Sequence, residues 1–329
     1  MMKKESMESV KIEIENLIDF SFLSEEYDIS KEELISFHNQ NCMLHELLPE
    51  QLPKYIKHIY IPVDKYNQWK EKQLLSTHIE IPEFSGEFVY GVSIIQEPSD
   101  LKMHYLVEIQ KSHKNRVVVS RQKLYVNDEE VNLMVEKLIE TAGEALYPIH
   151  FSLDQKGSLN ELQNAREIRT RWKEIYLPKI SERYVGETTD EMVAKFSRFY
   201  ENLENNLGIF QRNIFYPIFF LPLYDVYPNH QKKEQIKFYF PNSGETVWYD
   251  AIFSLQKVYT DRGKILIHIT GDQWDEEISL DEEKGKIDLI YQLDKKTRNI
   301  SSVTGTLSTY YDNQEIKIFI EIYRQESYL

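Results

Sequence analysis

The sequence predicts an α+β protein: a small N-terminal βααβ unit, then a larger antiparallel β-rich domain with a helical insert. Three observations predict it. Two short alternating runs, one at Val10, Ile12 and Ile14 and one over 56–61, bracket two short helical stretches. After Ile236 alternating runs follow one another at a spacing that suits an antiparallel meander. Between these regions the apolar period changes from two residues to about 3.6.

Taken in order, the N-terminal unit occupies 1–65 and closes on the strand Ile56 to Pro62. Residues 66–77 are polar, with Trp69 the only large apolar anchor, and read as a linker. Residues 78–329 form the large domain. Its first strands are His78–Ile81, Glu87–Ile95, Lys102–Ile109 and Arg116–Tyr125, with His113-Lys114-Asn115 as a hairpin turn. Val131, Met134, Val135, Leu138, Ile139, Ala142 and Leu146 then recur at helical spacing, which predicts one buried stripe. Asn127 with Glu130 fits a cap for that helix. A strand follows over 146–153. The helical insert spans about 158–215, with Pro178 as a break or kink and Thr188 with Glu191 as a second cap. Trp172, Phe196, Phe199 and Leu203 are expected inside it. The strands 236–240, 246–255, 264–270, 286–293, 300–309 and 315–324 complete the chain. Tyr291 to Thr297 echoes Phe151 to Gly157, each a strand running into Leu-Asp-x-Lys and a turn.

Composition narrows the function. The 329 residues are 41% hydrophobic and 13% aromatic, enough apolar surface for a full core. Only 11 residues are Gly, which disfavours phosphate-cradling loops. A net charge of −15 repels polyanions, so nucleic acid and anionic membrane are poor partners and no nucleic acid is expected. The first 65 residues carry 13 acidic against 7 basic side chains, which suits a basic protein partner. The apolar run Ile214–Leu223 is short and holds two prolines, so no membrane insertion is expected. No signal peptide is expected from the first residues, which predicts a cytoplasmic protein at synthesis, with signal-peptide-independent export left open. One thiol, Cys42, cannot form an internal disulfide and is read as inert. No metal ligand pattern, cofactor motif or catalytic residue set stands out. The acidic run Asp272–Glu283 lacks the spacing of a calcium loop and is read as solvated.

The stretch Tyr27-Asp28-Ile29-Ser30-Lys31-Glu32-Glu33-Leu34-Ile35-Ser36-Phe37-His38-Asn39 resembles the middle of a LysM domain. That resemblance implies a βααβ fold and, in the family, binding of N-acetylglucosamine-containing glycans. The family's groove corresponds here to about Asn16 to Phe20 and Leu48 to Lys54. Two of its glycine-bearing motifs are replaced, by Glu15-Asn16-Leu17-Ile18-Asp19 and by Pro49-Glu50-Gln51-Leu52. Both changes add a Cβ where backbone must approach the ligand. The family also serves as a structural piece of contractile injection particles. Residues 85–329 loosely resemble Bacteroidota proteins to which no activity is attached, through 147–150 and 164–172.

These readings lead to a non-enzymatic scaffold, adaptor or chaperone, in the setting of a bacterial secretion or toxin-delivery system. Its partner groove would hold Asn16, Asp19, Phe20, Phe22, Gln51 and Tyr55, with Phe20, Phe22 and Tyr55 as an exposed apolar edge. The alternatives are a peptidoglycan-binding protein and a cell-wall glycan hydrolase.

Overall fold

The computed structural model describes residues 8–14, 19–50, 52–53, 56–73, 76–82, 85–113, 115–130, 133–205, 207–274 and 283–325. The chain divides into two units, 1–75 and 76–329, each with its own core.

In the first unit strand β1 (Ser9–Glu13) pairs antiparallel with β2 (His58–Pro62), matching Val10 to Ile61 and Ile12 to Ile59. Between them lie α1 (Phe20–Tyr27), α2 (Lys31–Asn41) and a 3-10 turn, Leu44–Glu46. The sequence starts both helices. Asp19 Oδ1 accepts from the Phe22 N–H at 2.8 Å, and Ser30 Oγ accepts from the Glu33 N–H at 3.2 Å. α1 ends at Asp28, which takes the left-handed conformation. The core gathers Phe20, Leu23, Tyr27, Ile29, Leu34, Leu48, Ile59 and Ile61.

The expected linker over 66–77 is helical through Lys72. Helix α3 runs Val63–Lys72 and lays Tyr66 and Trp69 on this core. Trp69 packs at a tilt against Tyr27, ring centroids 5.3 Å apart, and donates its indole N–H to Glu26. One aromatic pair at i, i+3 suffices to dock a polar helix.

The second unit is one large antiparallel sheet curled round a helical segment. Its strands are β3 (Gly86–Glu97), β4 (Leu101–His113), β5 (Arg116–Val126), β6 (Glu129–Glu130), β7 (Ile149–Leu153), β8 (Leu159–Leu162), β9 (Gln231–Phe240), β10 (Glu245–Leu255), β11 (Lys264–Trp274), β12 (Lys286–Asp294), β13 (Ile300–Tyr311) and β14 (Gln314–Arg324). The order across the sheet is β8-β7-β5-β4-β3-β14-β13-β12-β11-β10-β9, with β6 beside β5. Alternation places Tyr249, Ala251 and Phe253 of β10 inside with Asp250 outside, and the same rule holds along β11 and β12. The expected strand at 78–81 reduces to one bridge, His78 to Val226.

The segment at the centre carries α8 (Gly208–Gln211) and α9 (Phe215–Phe219) and continues to Tyr227. Strands far apart in the sheet all reach it. Tyr90 of β3 meets Phe219 edge-on at 4.9 Å, and Tyr105 of β4 meets Phe215. Phe151 of β7 packs on Phe210, Tyr216 and Phe220. The Tyr291 hydroxyl of β12 donates to the Ile218 carbonyl. The most apolar run of the sequence is thus the plug of a curled sheet. Side chains tie the two sheet edges together. Lys156, in the β7–β8 turn, lies 2.9 Å from Glu234 of β9 and 2.7 Å from Asp225, and Lys232 meets the same two carboxylates.

The helical stretch runs 165–219, not 158–215, because 159–162 pairs as β8. It comprises α5 (Ala165–Arg171), a π turn (Trp172–Tyr176), α6 (Leu177–Arg183) and α7 (Glu187–Glu201), before α8 and α9. Pro178 does not end it. The π turn carries the chain into α6, and the proline falls in the first turn, where its missing N–H is not needed. α7 begins after Gly186 with no side-chain cap, so Thr188 and Glu191 lie within the helix.

Trp172 and Leu203 are buried as expected, but Phe196 and Phe199 are only half-buried. The inward side is centred on Tyr200, which stacks on Trp172 at 4.6 Å. Helix α4 (Met134–Glu144) buries Leu138 and Ala142 but leaves Met134, Val135 and Ile139 exposed; Val131 lies outside the described residues. The Glu136 carboxylate caps it by accepting from the Leu133 N–H. Asn127 and Asp128, both at positive φ, instead turn β5 into β6.

Candidate functional site

Of the residues expected in the N-terminal groove, Asn16, Gln51 and Tyr55 lie outside the described residues. The other three do not act as one edge. Asp19 spends its carboxylate capping α1. Phe20 is buried in the core, because the first turn of α1 aims it at the same side as Leu23 and Tyr27. Phe22, on the opposite side, is 52% exposed.

What stands out in this unit is the loop after α2. It is held at several points by side chains beneath it. Asn39 pairs with the backbone of Leu48, donating to its carbonyl at 3.0 Å and accepting its N–H at 2.7 Å. His38 is fully buried. Its Nδ1 accepts the Tyr60 N–H at 3.1 Å, so the proton of the neutral ring sits on Nε2, which donates to the Glu46 carbonyl at 2.9 Å. Burial pushes the His38 pKa down, against the pull of that carbonyl and of the Glu46 carboxylate. Glu46 accepts the Met43 N–H at 3.1 Å and lies 2.9 Å from His58 Nε2. The Met43 hydrogen bond is the main cause that holds its carboxyl below the usual range, with His58 adding to it.

The loop so fixed points apolar side chains outward. Met43 is 68% exposed, Leu44 is 89% exposed, and Leu47 is exposed too. Single exposed apolar residues need no explanation; several on one immobilised turn form a patch. Cys42 at its root is half-buried, and burial raises its pKa with Glu46 adding to it, so the thiolate that nucleophilic chemistry needs is disfavoured. The sequence alone does not flag this loop. Met43, Leu44, Leu47 and Leu48 fall at the i, i+1, i+4, i+5 spacing of a helix face, so the string reads as core.

In the second unit Leu133, Met134, Val135 and Ile139, at the start of α4 and along it, are exposed apolar side chains that straddle the buried Leu138 and Ala142. Among the described residues no three His, Cys, Asp or Glu side chains converge to hold a metal. Residues 275–282 of the acidic run lie outside the described residues. The two Leu-Asp-x-Lys turns share a device. Asp154 Oδ1 accepts from the Lys156 and Ser158 N–H groups, and Asp294 Oδ1 from those of Lys296 and Thr297. No helix among the described residues is long and apolar enough to cross a membrane.

No protein-family model matches the sequence, and no curated protein matches it. Among solved structures it is similar to one titled "lipid-protein interactions in lipovitellin", at 9% identity and a TM-score of 0.40. The match covers 74% of this chain and 25% of that one, so the chain spans about a quarter of that protein's length.

Proposed function

We propose that this chain is a non-enzymatic adaptor that docks a partner protein through the loop 43–47 of its N-terminal unit. The observation that carries this reading is the immobilised loop itself. Polar side chains fix its backbone, while Met43, Leu44 and Leu47 face solvent. A loop fixed before binding loses little further entropy when a partner covers it. The partner surface that fits is an apolar pocket with a basic rim, since the first 65 residues carry 13 acidic and 7 basic side chains. The exposed apolar side chains at the start of α4 support an adaptor over a simple ligand binder, because they offer the second unit contacts of its own. The LysM resemblance, with its use in contractile injection particles, suggests a secretion or toxin-delivery assembly as the setting.

The test places a photo-crosslinking amino acid at Leu44 of the full chain in cells that carry it. The expected result is an adduct with one discrete protein. That protein, once purified, binds the wild-type chain and loses binding to a Met43→Ser, Leu47→Ser variant. Saturable binding of N-acetylglucosamine oligomers tighter than about 100 μM, roughly −5.5 kcal/mol, overturns the reading in favour of a glycan binder.

A further inference from the structure

At one end of the curled sheet, side-chain donors outnumber acceptors. Lys111 follows Tyr105, Val107 and Ile109 at two-residue spacing on the inward side of β4. Its Nζ donates to Asn299 Oδ1 at 2.9 Å. Asn299 is 1% exposed, and its Nδ2 has no hydrogen-bond partner. Turning the amide over brings no relief, because Oδ1 is already committed to the ammonium. Arg298 Nη1 and Ser301 Oγ, close by in the chain, are also buried without partners.

The backbone carbonyls beside Asn299 already accept hydrogen bonds. The Tyr224 hydroxyl donates to the Arg298 carbonyl, the Tyr90 hydroxyl to the Ile300 carbonyl, and the Asp294 N–H to the Asn299 carbonyl. The Asp294 carboxylate is taken by Lys264 and by its own turn. Burial pushes the Lys111 ammonium down to about 8, with no carboxylate to offset it. Buried charges are ordinarily paired, and an uncompensated one is unfavourable.

We propose that Lys111 and Asn299, flanked by Arg298 and Ser301, form a binding site for a small oxyanion of the phosphate or carboxylate class. Such a guest supplies acceptors for the unpartnered Asn299 Nδ2 and Arg298 Nη1, and its charge pairs the buried ammonium. Lys111 is half-buried, so the site has a route to solvent. The site is independent of the docking loop.

The experiment measures thermal unfolding and titration heats of the full chain with inorganic phosphate and with acetate, against chloride at matched ionic strength. Saturable binding of phosphate or of acetate beyond the chloride response is expected, and the stronger of the two identifies the class. Two variants sharpen it. Lys111→Met removes the charge, so it should bind the oxyanion at least about tenfold more weakly, the weight of one charge-assisted hydrogen bond. Asn299→Asp supplies the missing carboxylate within the chain, so it should melt higher without anion and lose the response. Phosphate also stabilises folded proteins generally by exclusion from their surface, but that effect is the same in every variant. Equal anion responses in wild type and both variants, or the absence of any saturable heat, overturn the proposal.

Discussion

In the N-terminal unit a turn is held out to solvent by polar side chains beneath it; in the second unit a helical segment is held inside by aromatic rings from several strands. The first device uses His38, Asn39 and Glu46, a few directional bonds with a buried imidazole at their centre. The second uses Tyr90, Tyr105, Phe151 and Tyr291, large apolar areas, with the Tyr90 and Tyr291 hydroxyls spent on backbone carbonyls. Directional bonds fix a conformation without covering it. Apolar burial covers a segment and, by doing so, removes it from any partner. The difference assigns stability to one region and presentation to the other, and each assignment can be broken separately.

The largest effect should come from the plug. Phe151 is fully buried and touches Phe210, Tyr216 and Phe220. Phe151→Ala should cost about 3–5 kcal/mol in denaturant unfolding of the second unit. Phe196→Ala, at a half-buried ring beside Trp172, should cost clearly less. Equal costs would mean that α7 belongs to the core as fully as the plug does.

Next in size is the latch. Asn39→Ala leaves the Leu48 N–H and carbonyl without their partner, which should cost about 1–3 kcal/mol. Hydrogen exchange should then quicken over 43–48 with no change in the second unit. If exchange in the loop is unaltered, Asn39 does not hold it.

A smaller effect is tied to pH. Burial depresses the His38 pKa in the folded chain, so the unfolded chain takes up a proton near pH 6.5 while the folded chain stays neutral. The unfolded state therefore binds more protons in that window. The stability from His38 is complete above about pH 6.5 and is lost as pH falls below it. Protection of the Tyr60 amide, which donates to His38 Nδ1, should fall relative to its intrinsic exchange rate between about pH 7 and 5. A His38→Asn variant should flatten that profile.

The extent to which the sequence shows all this follows the same division. The strands from β9 to β14 are legible because alternation reports directly on a sheet with one covered side. The stripe on α4 is legible as a helix but misleading as core. Periodicity tells which residues share a side, and whether that side is covered depends on elements distant in sequence. The linker at 66–77 hides a helix because Tyr66 and Trp69 are too few to set a period. Phe20 and Phe22 look alike in a string, and only the start of α1 at Asp19 decides which one faces inward. The latch is the least legible part, since His38 and Asn39 act on backbone groups eight or more residues away.

The smallest expected effect concerns the exposed side chains of the loop. Met43 and Leu44 face solvent at 68% and 89%, so replacing them with Ser removes little buried apolar area. The bonds that fix the turn use the Met43 N–H, the Glu46 and Leu48 backbone and the side chains of His38, Asn39 and Glu46, none of which the substitutions remove. A Met43→Ser, Leu44→Ser variant should therefore unfold within about 0.5 kcal/mol of wild type, the range of ordinary surface changes. Its loop amides should exchange at the wild-type rate. A loss of more than about 1 kcal/mol would show that these side chains pack within the unit, and the contrast between a presented turn and a buried plug would fail at its first term. An unchanged stability, set beside lost binding of this same variant to the purified partner, separates presentation from folding at the level of two side chains.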